Sequence, residues 1–205
     1  MSACTGAPGA KVIIISGPSG VGKDTILGAL RRRHDCPDLH FVVTCTTRQP
    51  RDGEVDGVHY HFVTRDRFRQ MQRQGELLES ANVHGNRYGT PRFDVCRALA
   101  AGRHAVLKID VQGARVVKSR VPDAVLVFIV PPSLEALFQR LRERATETAD
   151  ELEVRQRDAA IELARQGDYD YVVVNETGEV DRTADRIVDI IEGERLRHPG
   201  RRVEL

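Results

Sequence analysis

Short aliphatic runs recur along the chain, each followed by a stretch in which apolar residues are spaced three and four apart. Val12 to Ser16 (VIIIS) is apolar without alternation, which predicts a strand buried on both faces. After a glycine-rich turn, Ile26, Leu27 and Leu30 take over at helical spacing, predicting a helix from Asp24 to Arg33. His104 to Val111 predicts a second strand, with a helix near Gly113 to Arg120. Ala124 to Val130 predicts a third, stopped by Pro131 and Pro132, with Ser133 placed to cap the next helix. Tyr171 to Asn175 is a fourth strand and Val180 to Arg197 a closing helix. Continuous apolar strands alternating with helices predict an α/β fold, a parallel sheet flanked by helices on both faces.

Two stretches break this rhythm. From about residue 43 to 92 the chain is rich in turn residues and polar side chains, with short extended runs such as VHYHFV. From about 138 to 168 it is almost wholly charged and reads as helix. No internal repeat or low-complexity linker sets them apart, so they are expected to be lobes inserted into one folded unit.

Composition narrows the setting. A chain of 205 residues, 40% hydrophobic and 30% charged, can bury a sizeable core. Its net charge of +1 makes no electrostatic case for nucleic acid or membrane as a partner. Only Lys11, Lys23, Lys108 and Lys118 among the 31 basic residues are lysines. Cys4, Cys36, Cys45 and Cys96 show no paired C-x-x-C spacing and no secretory signal precedes them, so neither a disulfide framework nor structural zinc is expected, and a cytoplasmic location is. MSACTGAPGA reads as a loose N-terminus.

The turn after the first strand carries the clearest chemistry. Gly17-Pro18-Ser19-Gly20-Val21-Gly22-Lys23 fits G-x-x-x-x-G-K between an apolar strand and a helix, the context a phosphate-binding loop requires. Its glycines let successive N–H groups turn inward beside the helix N-terminus, and Lys23 reaches the outer phosphates. Asp24 and Thr25 follow, where Ser or Thr is usual directly after the lysine. Asp24 suits the first turn of a helix but lies close to triphosphate, which makes most sense if it faces Mg²⁺ or its water shell.

In TCTTRQPRDGEVDGVHYHF, Arg48 and Arg51 flank Pro50, and Tyr60 follows a turn built on Gly53 and Gly57. Two guanidinium forks and a phenol suit a phosphate dianion; the same spacing also fits surface arginines beside a turn. In ELLESANVHGNRYGTP, Glu79 stands in an apolar context, followed by Tyr88, Gly89 and Thr90. A carboxylate there can accept from guanine N1–H and the exocyclic amine, whereas adenine N1 offers only a lone pair; a strand-end acid facing water is the alternative.

These segments, with IDVQGA, PPS, RLRERATET and YDYVVVN in this order and spacing, resemble guanylate kinase from Lys11 to about Arg197. The resemblance implies a P-loop nucleoside monophosphate kinase that transfers a phosphoryl group from ATP to GMP, and to dGMP, with Mg²⁺, in purine nucleotide metabolism. It implies a domain over 11–197, with a core of 11–42, 93–137 and 169–197, a GMP-binding lobe at 43–92 and a lid at 138–168. Residues 1–10 and 198–205 are expected to be flexible tails. By the same resemblance Arg48, Arg51, Tyr60 and Tyr88 hold the GMP phosphate, while Thr44, Glu79 and Thr90 meet guanine and Asp110 is retained in the GMP site. The loop from Gly17 to Thr25 and Asn175 bind ATP. Lys23 and the lid arginines Arg140, Arg144 and Arg155 are the catalytic cations.

Three places depart from the family pattern. Arg155 is followed by Gln156 rather than Leu, Lys108 stands where an acid is frequent, and Asp24 replaces Ser or Gly. Strand alternation puts Lys108 and Asp110 on one side, as an ion pair or with Lys108 near a phosphate. On spacing alone, Arg140 and Arg144 also fit an i, i+4 pair on a solvated helix face. A ribose bisphosphate kinase with the same loop, a non-enzymatic scaffold module and a kinase for AMP or dTMP remain alternatives. The guanine-reading set and the intact Gly22-Lys23 set the chain apart from the first two.

Overall fold

The computed structural model describes residues 4–33, 38–83, 85–143 and 149–205. Its strands form two sheets, one of five strands in the order β2-β7-β1-β8-β9 and one of four in the order β4-β3-β6-β5. Here β1 is Val12–Ser16, β2 Leu39–Phe41, β3 Cys45–Thr46, β4 His61–Phe62, β5 Leu77–Val83, β6 Asn86–Pro91, β7 His104–Lys108, β8 Val125–Val130 and β9 Tyr171–Val174. The helices are α1 Lys23–Arg32, α2 Arg65–Arg73, α3 Arg92–Ala100, α4 Val111–Arg120, α5 Leu134–Glu143, α6 Ala149–Leu163 and α7 Val180–Arg197. The chain divides into two compact units. One comprises Met1–Ile14, Asp38–Val125 and Arg197–Leu205, the other Ile15–Pro37 and Leu126–Leu196.

In the first unit β2 runs parallel to β7, Leu39 opposite His104 and Phe41 opposite Val106. The smaller sheet pairs β3 parallel to β4 and antiparallel to β6, and β5 antiparallel to β6 with Glu79 opposite Thr90 and an irregularity between Leu77 and Glu79. Its small core is Cys45, Phe68, Met71 and Leu77, with Val63 packed against them. This region is more regular than its turn-rich sequence suggests. Helix α2 escapes a periodicity reading because Phe68 and Met71 are its only buried positions; its start is fixed by Thr64, whose hydroxyl accepts from Arg67 N–H at 3.2 Å. Strand β2 and helix α3 were not expected either. The two ends, expected as flexible tails, are paired: Cys4 and Leu205 exchange backbone hydrogen bonds of 2.9 Å, and Gly6 N–H donates to Val203 at 2.9 Å.

In the second unit β8 and β9 pair in parallel from Val127–Tyr171 to Val130–Val174. Helix α1 buries Ile26, Leu27, Ala29 and Leu30, the face its spacing predicts. Ser133 caps α5, its hydroxyl accepting from Ala136 N–H at 3.1 Å. The closing helix has the predicted bounds. In the first unit β7 stops at Lys108 rather than Val111, because the Asp110 carboxylate accepts from Gly113 N–H at 2.8 Å and so begins α4 as its N-cap. Lys108 and Asp110 therefore do not share a strand face, as alternation would have placed them.

Candidate active site

The phosphate loop leaves β1 at Gly17 and enters α1 at Lys23. Gly17 has φ +143°, and a Cβ there would collide with the Ile129 carbonyl oxygen; Gly22 has φ +100° and a Cβ would lie 2.6 Å from Asn175 Nδ2. Only glycine fits either place. Lys23 Nζ spans the loop, donating to the carbonyls of Gly17 at 2.6 Å and Pro18 at 2.9 Å. Pro18 and Val21 are buried, whereas Asp24 and Thr25 lie exposed in the first turn of α1.

Four side chains from outside the loop bond to it: Asn175, Arg140, Arg155 and Glu162. Asn175 is buried; its amide donates to Val21 O at 2.8 Å and accepts from the Thr183 hydroxyl at 3.1 Å. Arg140 donates to Val21 O and Asn175 O, both at 3.3 Å, and to Thr177 Oγ1 at 2.9 Å. It is not a free member of a solvated face. Arg155 on α6 donates to Ser19 Oγ at 2.8 Å, and Glu162, two turns further on, accepts from Ser19 N–H at 3.2 Å. Glu162, Thr177 and Thr183 went unrecognised in the sequence. Arg144 lies outside the described residues.

In the first unit the residues expected to meet GMP form two clusters. In one, Tyr60 and Tyr88 meet edge to face with centroids 6.0 Å apart, and the Arg48 guanidinium lies 5.4 Å from the Tyr60 ring centre. Lys108 Nζ lies 4.6 Å from the same ring centre. Glu54 ties the loop together, accepting from Arg48 at 2.8 Å and from Arg51 N–H at 2.7 Å. Burial alone would raise the Glu54 carboxyl, but these two donors outweigh it and hold it below the usual carboxylate range. The Arg51 side chain is exposed. Glu54 also went unrecognised in the sequence, one acid among several beside the turn.

The second cluster is buried. Thr44, Glu79 and Thr90 are all closed to solvent, with Glu79 only 3% exposed, so it is not a strand-end acid facing water. The Thr90 hydroxyl donates to Glu79 Oε1 at 2.7 Å. Behind it, Arg120 donates to the Leu78 carbonyl. Burial pushes the Glu79 carboxyl up to about 7; the Thr90 hydrogen bond and Arg120 pull it down, and the Asp110 charge adds to the rise. Such a group offers two acceptor oxygens once ionised.

The guanylate kinase family model matches residues 9–194. A guanylate kinase of Desulfitobacterium hafniense is 45% identical over 186 residues, covering 91% of each chain. One of Mycobacterium bovis is 52% identical over 167 residues, covering 80% of this chain and 79% of its own. The crystal structure of guanylate kinase from Anaplasma phagocytophilum superposes with a TM-score of 0.75 at 32% identity, over 93% of this chain and 88% of that one. A family match over this span, with the phosphate loop and the buried acid in place, means that the chain belongs to the guanylate kinase family.

Proposed function

We propose that the protein carries out the family's reaction, ATP + GMP to ADP + GDP, with dGMP as a second acceptor, in the cytoplasmic purine nucleotide pool. The observation that carries this reading is the buried Glu79 carboxyl fixed by Thr90, a base-selecting acid in a chain that also has an intact phosphate loop. No helix among the described residues is long and apolar enough to cross a membrane, and both proposed substrates are small anions.

In this reading residues 43–92 are the GMP-binding lobe, 138–168 the lid and the rest of 11–197 the core. Arg48, Arg51, Tyr60 and Tyr88 hold the acceptor phosphate, with Arg48 exchanging its bond to Glu54 for bonds to phosphate. Glu79 accepts from guanine N1–H and the amine, with Thr44, Thr90 and Asp110 beside it. The loop from Gly17 to Thr25 cradles the triphosphate of ATP, Lys23 turning from its own loop carbonyls to the phosphates. Asn175 acts by holding that loop through Val21, as well as lying toward the adenine. The acceptor oxygen is already anionic, so catalysis consists of bringing two polyanions into line and neutralising charge on the group in transit. Lys23, Arg140, Arg144 and Arg155 supply that charge.

The donor set fits magnesium. Asp24 is one exposed carboxylate at the start of α1, and no three His, Cys, Asp or Glu side chains converge as an all-protein cage among the described residues. Mg²⁺ keeps waters and phosphate oxygens as ligands, so Asp24 would hold it directly or through water. Bound metal would neutralise phosphate charge at the transfer step.

Steady-state kinetics on Arg51→Ala test the division of labour. KM for GMP is expected to rise about tenfold or more while KM for ATP stays within about twofold, since Arg51 touches only the acceptor phosphate. Equal rises for both substrates would contradict it.

A further inference from the structure

We propose that Gly113 is a specificity-positioning residue: its bare Cα in the first turn of α4 sets where the Glu79 carboxylate stands, and through it the preference for guanine over adenine. This rests on the reading of Glu79 as the base-selecting acid.

A Cβ on Gly113 would lie 2.9 Å from Glu79 Oε2, 3.3 Å from Glu79 Cδ and 3.1 Å from Asp110 Oδ1. The three nearest atoms it would meet outside its own helix backbone thus belong to two carboxyl groups. The backbone itself does not ask for glycine. Gly113 is not among the residues of positive φ and sits inside α4, where alanine would be favoured by up to about 1 kcal/mol. What remains is the close approach. A flexible acid on the surface would swing aside from an added methyl at little cost. Glu79 is 3% exposed, and its other oxygen is held at 2.7 Å by the Thr90 hydroxyl. A methyl group therefore moves the carboxylate or breaks the Thr90 bond.

Guanine donates two parallel hydrogen bonds, from N1–H and the exocyclic amine, to one carboxylate, so a displacement of a few tenths of an ångström weakens both. Adenine makes neither bond and loses nothing. Gly113→Ala is thus expected to leave the fold intact while spoiling the choice of base.

The test is a double-substitution cycle of Gly113→Ala and Glu79→Ala, read by thermal melts and by steady-state kinetics with GMP, AMP and ATP. Gly113→Ala alone is expected to stay folded, its helix gain offsetting part of the cost of displacing Glu79, and to raise KM for GMP about tenfold, with KM for ATP and kcat/KM for AMP within about twofold. In the Glu79→Ala background, which has no carboxylate to displace, the same substitution is expected to raise KM for GMP by less than about twofold further. An unchanged KM for GMP in a well-folded Gly113→Ala, or a tenfold rise in both backgrounds, overturns the proposal. A lowered melting temperature with KM rising for both substrates also overturns it, assigning Gly113 to packing. If Glu79→Ala alone leaves the GMP to AMP preference unchanged, it is the underlying reading of Glu79 that fails.

Discussion

Glu79 lies in a part of β5 from which water is excluded, and the loss of hydration outweighs what Thr90 and Arg120 return, so its carboxyl titrates near 7. The ordinary value is 4.5, so between these pH values the folded chain holds a proton that the unfolded chain has released. Stability from this group is therefore fully present below about 4.5 and is lost as pH rises through about 7. The difference is at most on the order of 3 kcal/mol. Glu79→Gln, neutral at all pH, is expected to gain on wild type as pH rises, with the gap in melting temperature widening from pH 5 to pH 8. Parallel melting curves across that range would contradict the burial argument. Binding runs the other way, because guanine needs the ionised acid: KM for GMP is expected to fall through pH 7 in wild type beyond the phosphate's own titration, and Glu79→Gln serves as the control for that titration. At this scale much of the site was legible. Gly17, Gly22 and Lys23 announce themselves by spacing that only a loop before a helix explains. Glu54 and Glu162 do not, since an acid in an arginine-rich chain is ordinary, and the partner of Glu162, Ser19, is 143 residues away in sequence.

Helices place these side chains in pairs. Arg155 and Glu162 are seven apart on α6, two turns along one face, so one helix brings a cation and an acid to the same Ser19. Helix α1 presents Asp24 in its first turn, where the macrodipole favours it whether or not it serves a metal. A Mg²⁺ titration at fixed ATP separates these roles. If Asp24 handles the ion or its waters, Asp24→Asn is expected to raise the concentration for half-maximal rate; superimposable curves would leave only a helix-start role, worth at most about 1 kcal/mol. Helix α2 raises a question of stability instead. Phe68 is fully buried in the small core under the four-stranded sheet, and Phe68→Ala is expected to cost about 3–5 kcal/mol by denaturant unfolding. A loss under about 1 kcal/mol would mean that this core is not cooperative with the rest. Long apolar strands and the amphipathic α1 and α7 were readable from period alone. The two-residue strands β3 and β4 and the polar α2 were not, because long-range pairing and two buried side chains define them.

For the whole molecule, the parallel five-stranded sheet follows from the same alternation of strands and helices that the sequence displays, whereas the four-stranded sheet does not. Its residues make a polar, turn-rich sequence because that sheet, as the proposed GMP lobe, exposes arginines and phenols to a phosphate and encloses one acid for a base. With a net charge of only +1, attraction for two polyanionic nucleotides cannot come from the protein as a whole and has to come from local cations in fixed places. In the proposed reading those cations neutralise phosphate, and the buried Glu79 carboxyl makes the kinase select GMP. ADP release from ATP and Mg²⁺ with GMP, dGMP, AMP, CMP and dTMP as acceptors, on wild type and on Glu79→Gln, reads that selection out. GMP is expected to be the best acceptor by at least about a hundredfold in kcat/KM over AMP, with that ratio falling about tenfold or more in Glu79→Gln. Turnover of AMP equal to that of GMP in the wild-type protein would mean that Glu79 does not choose the base.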